Sequence, residues 1–161
     1  MFQKHIRPLL VALLVAFLAL TLTFSSVPGA HAASLRPHLP ACYNASTCDN
    51  TDPNSVQGLD GAACGSNAYT VTEKYGGGKT ISLRFSRNCK TNWARFTNSL
   101  YILGWSLWVE RRNANGSVTR SNVYSSWGTT GGSWSDQLYT DTLAARACVS
   151  LADGDWCTDW V

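Results

Sequence analysis

The sequence predicts an all-β domain, a small antiparallel barrel or sandwich of about six strands, stapled by disulfides. Two observations carry that expectation. Short apolar runs alternate with period 2 and are punctuated by glycine and asparagine turns. Six cysteines, at positions 42, 48, 64, 89, 148 and 157, all follow an N-terminal export signal.

That signal comes first in the chain. Lys4 and Arg7 precede an apolar run from Leu9 to Phe24, and an Ala-x-Ala site stands at Ala30-His31-Ala32. Basic, apolar and small-residue regions in that order read as a signal peptide over residues 1–32, removed on secretion. A retained membrane anchor is the competing reading, but the run is short for a span and Pro28-Gly29 suits cleavage better. The expected product is extracellular, with no stable membrane insertion after cleavage. Of 161 residues, 161 less 32, or 129, remain, enough for one domain with a real core.

Residues 33–41 form a proline-bearing, flexible lead-in, and 42–161 a single secreted β-domain. From Cys42 to Ala63 the chain is rich in Asn, Asp, Ser and Thr, which cap turns rather than build strands. Asp49 to Asn54 offers oxygens of the kind that bind calcium. The run lacks the glycine and downstream glutamate of a calcium loop, so an Asx-turn is the plainer reading and no metal is assigned.

The stretch from Cys64 to Arg95 organises the fold. Tyr69, Val71, Ile81, Leu83 and Phe85 recur at period 2 around Gly76-Gly77-Gly78, the pattern of a hairpin. Opposing Val71 with Ile81 sets Glu73 against Lys79, leaves a loop over Lys74 to Gly78, and needs a bulge near Gly65 to join Cys64 to Cys89. Asn92 to Thr97 reads as a third strand. Tyr101 to Glu110 reads as the central, most apolar one, with Tyr101, Leu103, Trp105, Leu107 and Val109 on one face and Trp108 and Glu110 on the other. Asn115-Gly116 marks the next hairpin, which Ser117 to Tyr124 closes. Gly128 to Ser133 reads as a loop between Trp127 and Trp134, Gln137 to Leu143 as a last strand, and Leu143 to Ala147 as a helical turn.

Six cysteines in an exported chain imply three disulfides in any of 15 pairings. Local geometry favours Cys64–Cys89 across the hairpin base, with Cys42–Cys48 and Cys148–Cys157 closing short loops. Zinc is the alternative, and the absence of any Cys-x-x-Cys argues against it.

Chemistry is limited by histidine. His5 and His31 leave with the leader and His38 lies in the lead-in, so the body has no imidazole for nucleophilic pairs. Catalysis would rest on Glu110 or on the pair Asp153 and Asp155, as in a carboxylate-dependent glycoside hydrolase. Asp153-Gly154-Asp155 looks more like an exposed turn, so no enzyme activity, catalytic residue or cofactor is expected.

Seven tryptophans and a basic middle point instead to binding. Trp93 and Trp105 are expected in the core. Trp108, Trp127 and Trp134, with Arg84 and Arg95, are the candidate ligand contacts, set against the plainer readings of core filler and solvated charge. Candidate partners are an anionic wall polymer or an extracellular protein. Nucleic acid would satisfy the same charges, but export argues against it. A secreted inhibitor or toxin-like effector is the alternative function, since a rigid scaffold presents loops at low entropic cost.

Asp52-Pro53, Cys64, Ala68-Tyr69-Thr70-Val71, Ser82-Leu83-Arg84-Phe85-Ser86, Cys89 and Trp93-Ala94-Arg95 form an ordered signature over about 49–97. It resembles the YjfA-like secreted family of unknown function from Gram-positive bacteria. That resemblance implies export and a compact disulfide-bonded domain, and brings no catalytic residue with it.

Overall fold

The computed structural model describes residues 39–127 and 130–161. The expected signal peptide, and the lead-in up to His38, lie outside the described residues, as do Gly128 and Thr129. The described end of the lead-in is tied down: the Gln57 N–H donates to Pro40 and Ala41 bridges Gln57.

Among the described residues, ten strands and one short helix follow in order. Helix α1 is Ala45–Cys48, capped reciprocally by Asn44 and Thr47. The strands are β1 Tyr69–Gly76, β2 Lys79–Ser86, β3 Thr91–Asn98, β4 Trp105–Arg112, β5 Val118–Arg120, β6 Tyr124–Ser126, β7 Gly131–Trp134, β8 Leu138–Tyr139, β9 Ala145–Leu151 and β10 Gly154–Cys157. One sheet runs β1-β2-β3-β7, with β8 also on β3. The other runs β10-β9-β4-β5, with β6 also on β4. Every pairing between these strands is antiparallel. The result is a sandwich rather than a closed barrel, and β4 is central in its sheet.

Alternation places the core between the sheets. Ile81, Leu83, Ala94 and Phe96 face Leu107, Val109, Ala147 and Val149, all fully buried. Trp105 joins them, its ring 5.2 Å from that of Phe96 and 5.7 Å from that of Tyr124. A second, smaller core forms where Cys42, Cys48, Cys64 and Cys89 pack with Val56. Here two disulfides replace the apolar bulk that the polar segment 42–63 lacks. The same two bridges bring the sulfurs of Cys42, Cys64 and Cys89 together.

All three favoured disulfides form. The hairpin register differs from expectation. Tyr69 opposes Phe85, a bulge falls between Thr70 and Thr72, and Lys74 opposes Ile81. Glu73 therefore faces Ser82 rather than Lys79 and accepts from its Oγ at 3.3 Å. Gly77 and Gly78, with φ of 54° and 72°, make a two-residue turn whose twist suits the hairpin better than a five-residue loop.

Other departures have similar local causes. Tyr101 and Leu103 lie outside β4 and are exposed. The strand expected from Ser117 splits into β5 and β6 around Ser121, whose buried hydroxyl accepts the Val109 N–H. Gly131 to Trp134 is a strand, not a loop, and the expected helical turn contributes to β9.

The polar segment is bolted to the sandwich by buried polar groups. Asp49 accepts from Arg111 Nη1 at 3.0 Å and from the Tyr139 N–H at 2.7 Å. Gln137, fully buried, accepts from Thr91 and donates to Thr51. Within the Asp49–Asn54 run, Asn50 also accepts the Asn122 N–H and Asp52 accepts the Asn54 N–H. We expect the Cys64→Ser/Cys89→Ser protein to lose about 2–5 kcal/mol of unfolding free energy in denaturant titration. Unchanged stability would show that the bridge is dispensable.

Candidate functional site

The two sheets turn very different outer faces to solvent. On the outer face of the second sheet the arginines are neutralised. Trp108 is only 3% exposed, its Nε1 donates to Glu110 at 2.9 Å, and Arg120 stacks on its ring at 4.3 Å. Glu110 receives Arg120 on one oxygen at 3.1 Å and Arg146 on the other at 2.8 Å. Arg146 and Arg112 both lie over the Trp160 ring. This chain of rings and charges accounts for the C-terminal tryptophan and removes Trp108 from the accessible candidates. Trp108 points away from the core, as alternation requires, yet is covered by a side chain from β5.

Glu110 is equally unsuited to act on a substrate. Burial would raise its pKa, but bonds from Trp108 and Arg146, the charge of Arg146 and the bond from Arg120 together hold it below the usual carboxylate range. Asp153 and Asp155 are exposed on the β9–β10 hairpin, where Gly154 takes φ of 116°.

The outer face of the first sheet is the opposite case. On β2 and β3 the residues pointing away from the core are Ser82, Arg84, Trp93 and Arg95. Arg84 opposes Trp93 and Ser82 opposes Arg95. On β7, Trp134 pairs with Arg95 on its other side. The three candidates Arg84, Arg95 and Trp134 therefore converge, with Trp93, on one shallow depression of about 280 Å³. Trp93 is buried, as expected, but on this outer side rather than in the inter-sheet core, so it forms the floor. Trp134 is 44% exposed and forms a wall, held by its Nε1 bond to Asp52 at 3.3 Å.

Beyond Arg95 the depression opens into a larger trough of about 810 Å³ that runs to Lys79 and the β1–β2 turn. Trp127, 80% exposed, lines neither space. It lies over Gly104, where a Cβ would come within 3.1 Å of the ring.

Arg84 is positioned by its neighbours: Nη1 donates to Thr70 Oγ1 at 2.8 Å and Nη2 to the Ala68 carbonyl. The Val71 bulge sits beside these contacts. Among the described residues neither Arg84 nor Arg95 pairs with a carboxylate. Burial and the adjacent Arg95 charge pull the Arg84 pKa below its ordinary value. Two guanidinium groups thus share this face without an ion-paired carboxylate among the described residues. Glu73, the acid on the same face, is engaged with Ser82 at the β1 edge.

Sequence reasoning missed β7, whose glycines carry no strand signal, and with it Gly132, which lines both spaces. Three other basic residues of the middle stretch are partnered elsewhere: Lys74 over Trp156, Arg87 over Tyr69, Lys90 with Asp141.

Fold and site together define a disulfide-stapled β-sandwich with one uncompensated basic face. By its sequence the chain belongs to the family described as protein of unknown function DUF2690, whose model matches residues 46–148. The match takes in the whole signature region and every strand of the basic face. No curated protein and no solved structure matches the chain.

The Glu110 cluster gives a pH dependence with a definite sign. Because its folded pKa lies below the ordinary glutamate value of about 4.3, the stability it contributes is present above that value and lost as pH falls through the folded pKa. Glu110→Gln should cost about 1–3 kcal/mol at neutral pH, by weakening its charge-assisted bonds to two partly exposed arginines, and should flatten the acid limb of a stability–pH curve. An acid limb identical in the two proteins would assign that limb to other carboxylates.

Proposed function

We propose that this protein is exported and binds an anionic ligand at the cell envelope through the outer face of its first sheet, without catalysis of its own. The observation that carries the reading is the convergence of Arg84 and Arg95, lacking any carboxylate among the described residues, beside the exposed Trp134 ring. The other arginines among the described residues are capped with acids or rings, so the exception is informative.

Export is supported by the leader sequence and by three disulfides, which persist in oxidising compartments. No helix among the described residues is long and apolar enough to cross a membrane. Kinship with the YjfA-like secreted proteins belongs to the same proposal. A non-catalytic role is supported by the state of the carboxylates: Glu110 is held by two arginines, and Asp153 and Asp155 stand on an exposed turn.

The envelope polymer reading is preferred over an inhibitor or effector because the free charge lies on a sheet face, not on protruding loops. Trp127, the most exposed tryptophan, lies off that face.

Purified cell-wall material should retain the wild-type protein at low salt. It should release the protein as ionic strength approaches about 1 M, where screening acts within about 3 Å. Arg84→Gln/Arg95→Gln should lose that retention while Trp127→Ala keeps it. Equal retention of the double variant, or none by the wild type at low salt, would overturn the proposal.

A further inference from the structure

The two arginines of the outer face are held in different ways. Arg84 is fixed: its Nη1 and Nη2 donate to Thr70 and to the Ala68 carbonyl, with further N–H donors left over. Arg95 is exposed, and its guanidinium has no hydrogen bond, ion pair or ring partner among the described residues. Arg84 opposes Trp93, two residues before Arg95, so the two arginines are diagonal neighbours. Diagonal positions lie about 7–8 Å apart, close enough for both side chains to grip one acid group. Lys79 is not a third cation of this site, because alternation sets it on the Ile81 side of β2.

A flat apolar wall stands beside the pair. Trp134 opposes Arg95 from β7, and its Nε1 bond to Asp52 fixes the indole. The depression between this ring and the arginines, floored by Trp93, holds about 280 Å³. Sites for drug-sized molecules run to about 300–1,000 Å³, so this is room for one sugar ring. A pyranose bearing an acid group meets both requirements together: a C–H-rich face for the indole and an anion at its edge.

The surroundings set which way the rest of a ligand runs. Beyond Trp134, Asp52 and Asp136 line the next depression, and neither pairs with a cation among the described residues. A second anion on that side is repelled. The other exit is the trough of about 810 Å³, which no acidic side chain lines. Gly132 joins the two spaces, and a Cβ there would lie 3.3 Å from Thr97 Cγ2 and 3.9 Å from Arg95 Nη2. Its backbone does not demand glycine, unlike Gly131 with φ of 115°, so the missing side chain matters for the room it leaves.

We infer that the site takes a single acidic sugar residue, its carboxylate or phosphate between Arg84 and Arg95, its ring on Trp134, and the rest of the glycan leaving past Gly132. The inference rests on the binding role proposed above and adds the chemical class and pose of the ligand.

The test titrates the full chain by NMR with methyl glucuronide, glucose 6-phosphate, methyl glucoside, acetate, inorganic phosphate and benzoate. The tighter of the first two separates the carboxylate source from the phosphate one. Methyl glucoside lacks the charge, and acetate and inorganic phosphate lack the ring. Each should bind about tenfold more weakly than the preferred acidic sugar, or worse. Arg95→Gln should weaken the acidic sugar by about tenfold or more, the loss of one charge-assisted contact, and leave methyl glucoside unmoved. Trp134→Ala should weaken the acidic sugar similarly and leave acetate unmoved. If Trp134→Ala does not fold, Arg95→Gln, which alters an exposed side chain, carries the test with the ringless probes.

Acetate or inorganic phosphate binding as tightly as the acidic sugars would overturn the inference. So would tighter binding of benzoate, or unaltered binding by a folded Arg95→Gln protein. Wall retention without binding to either acidic sugar would overturn it and leave the envelope reading standing. Failure of both wall retention and sugar binding would remove the two together.

Discussion

Everything in this structure depends on the register of the β2–β3 pair. Eight consecutive pairings, from Lys79 with Asn98 to Ser86 with Thr91, set which residues point inward. Ile81, Leu83, Ala94 and Phe96 enter the core, and the same alternation turns Ser82, Arg84, Trp93 and Arg95 outward. A slip of one residue would exchange the two sets. Core and candidate site are therefore two consequences of a single pairing. Constraints at both sides hold it: Cys64–Cys89 fastens the strand base to the polar segment, while β7 and β8 pair along the other edge of β3.

The second organising contrast is electrostatic. Both outer faces carry arginines and tryptophans, but they are used differently. On the second sheet, Trp108, Arg120, Glu110, Arg146, Trp160 and Arg112 form a continuous run of stacked rings and paired charges. Each cation there has a partner, so the face supports the fold. On the first sheet, Arg84 and Arg95 sit close enough for one to disfavour the other's charge, with no carboxylate between them. Leaving like charges together costs stability, and a ligand that brings negative charge would recover it. Residue type alone does not separate the two situations; the strand pairing does.

That distinction also explains what the amino-acid sequence revealed. The three disulfides were legible because two close short loops and the third spans a recognisable hairpin base. Arg84 and Arg95 were legible because alternation against Leu83 and Ala94 fixes their side. Trp108 was placed on the correct face but not under Arg120, because that cover comes from β5, whose register no local pattern announces. The hairpin register departs from a strict period of 2 because the bulge between Thr70 and Thr72 breaks the period within β1 itself. Leu143 to Ala147 reads locally as a helical turn, yet pairing with β4 draws Ala145 to Ala147 into β9. Gly131 and Gly132 have little strand propensity and become strand only because the free edge of β3 accepts them.

The most direct test of the central claim is residue-by-residue mapping by amide NMR during titration with purified anionic envelope polymer. The account predicts that the perturbed amides cluster at Ser82, Arg84, Trp93, Arg95 and Trp134, with Trp108 and Trp160 unmoved. A cluster around Trp127 and Leu103, or on the Trp160 face, would contradict it.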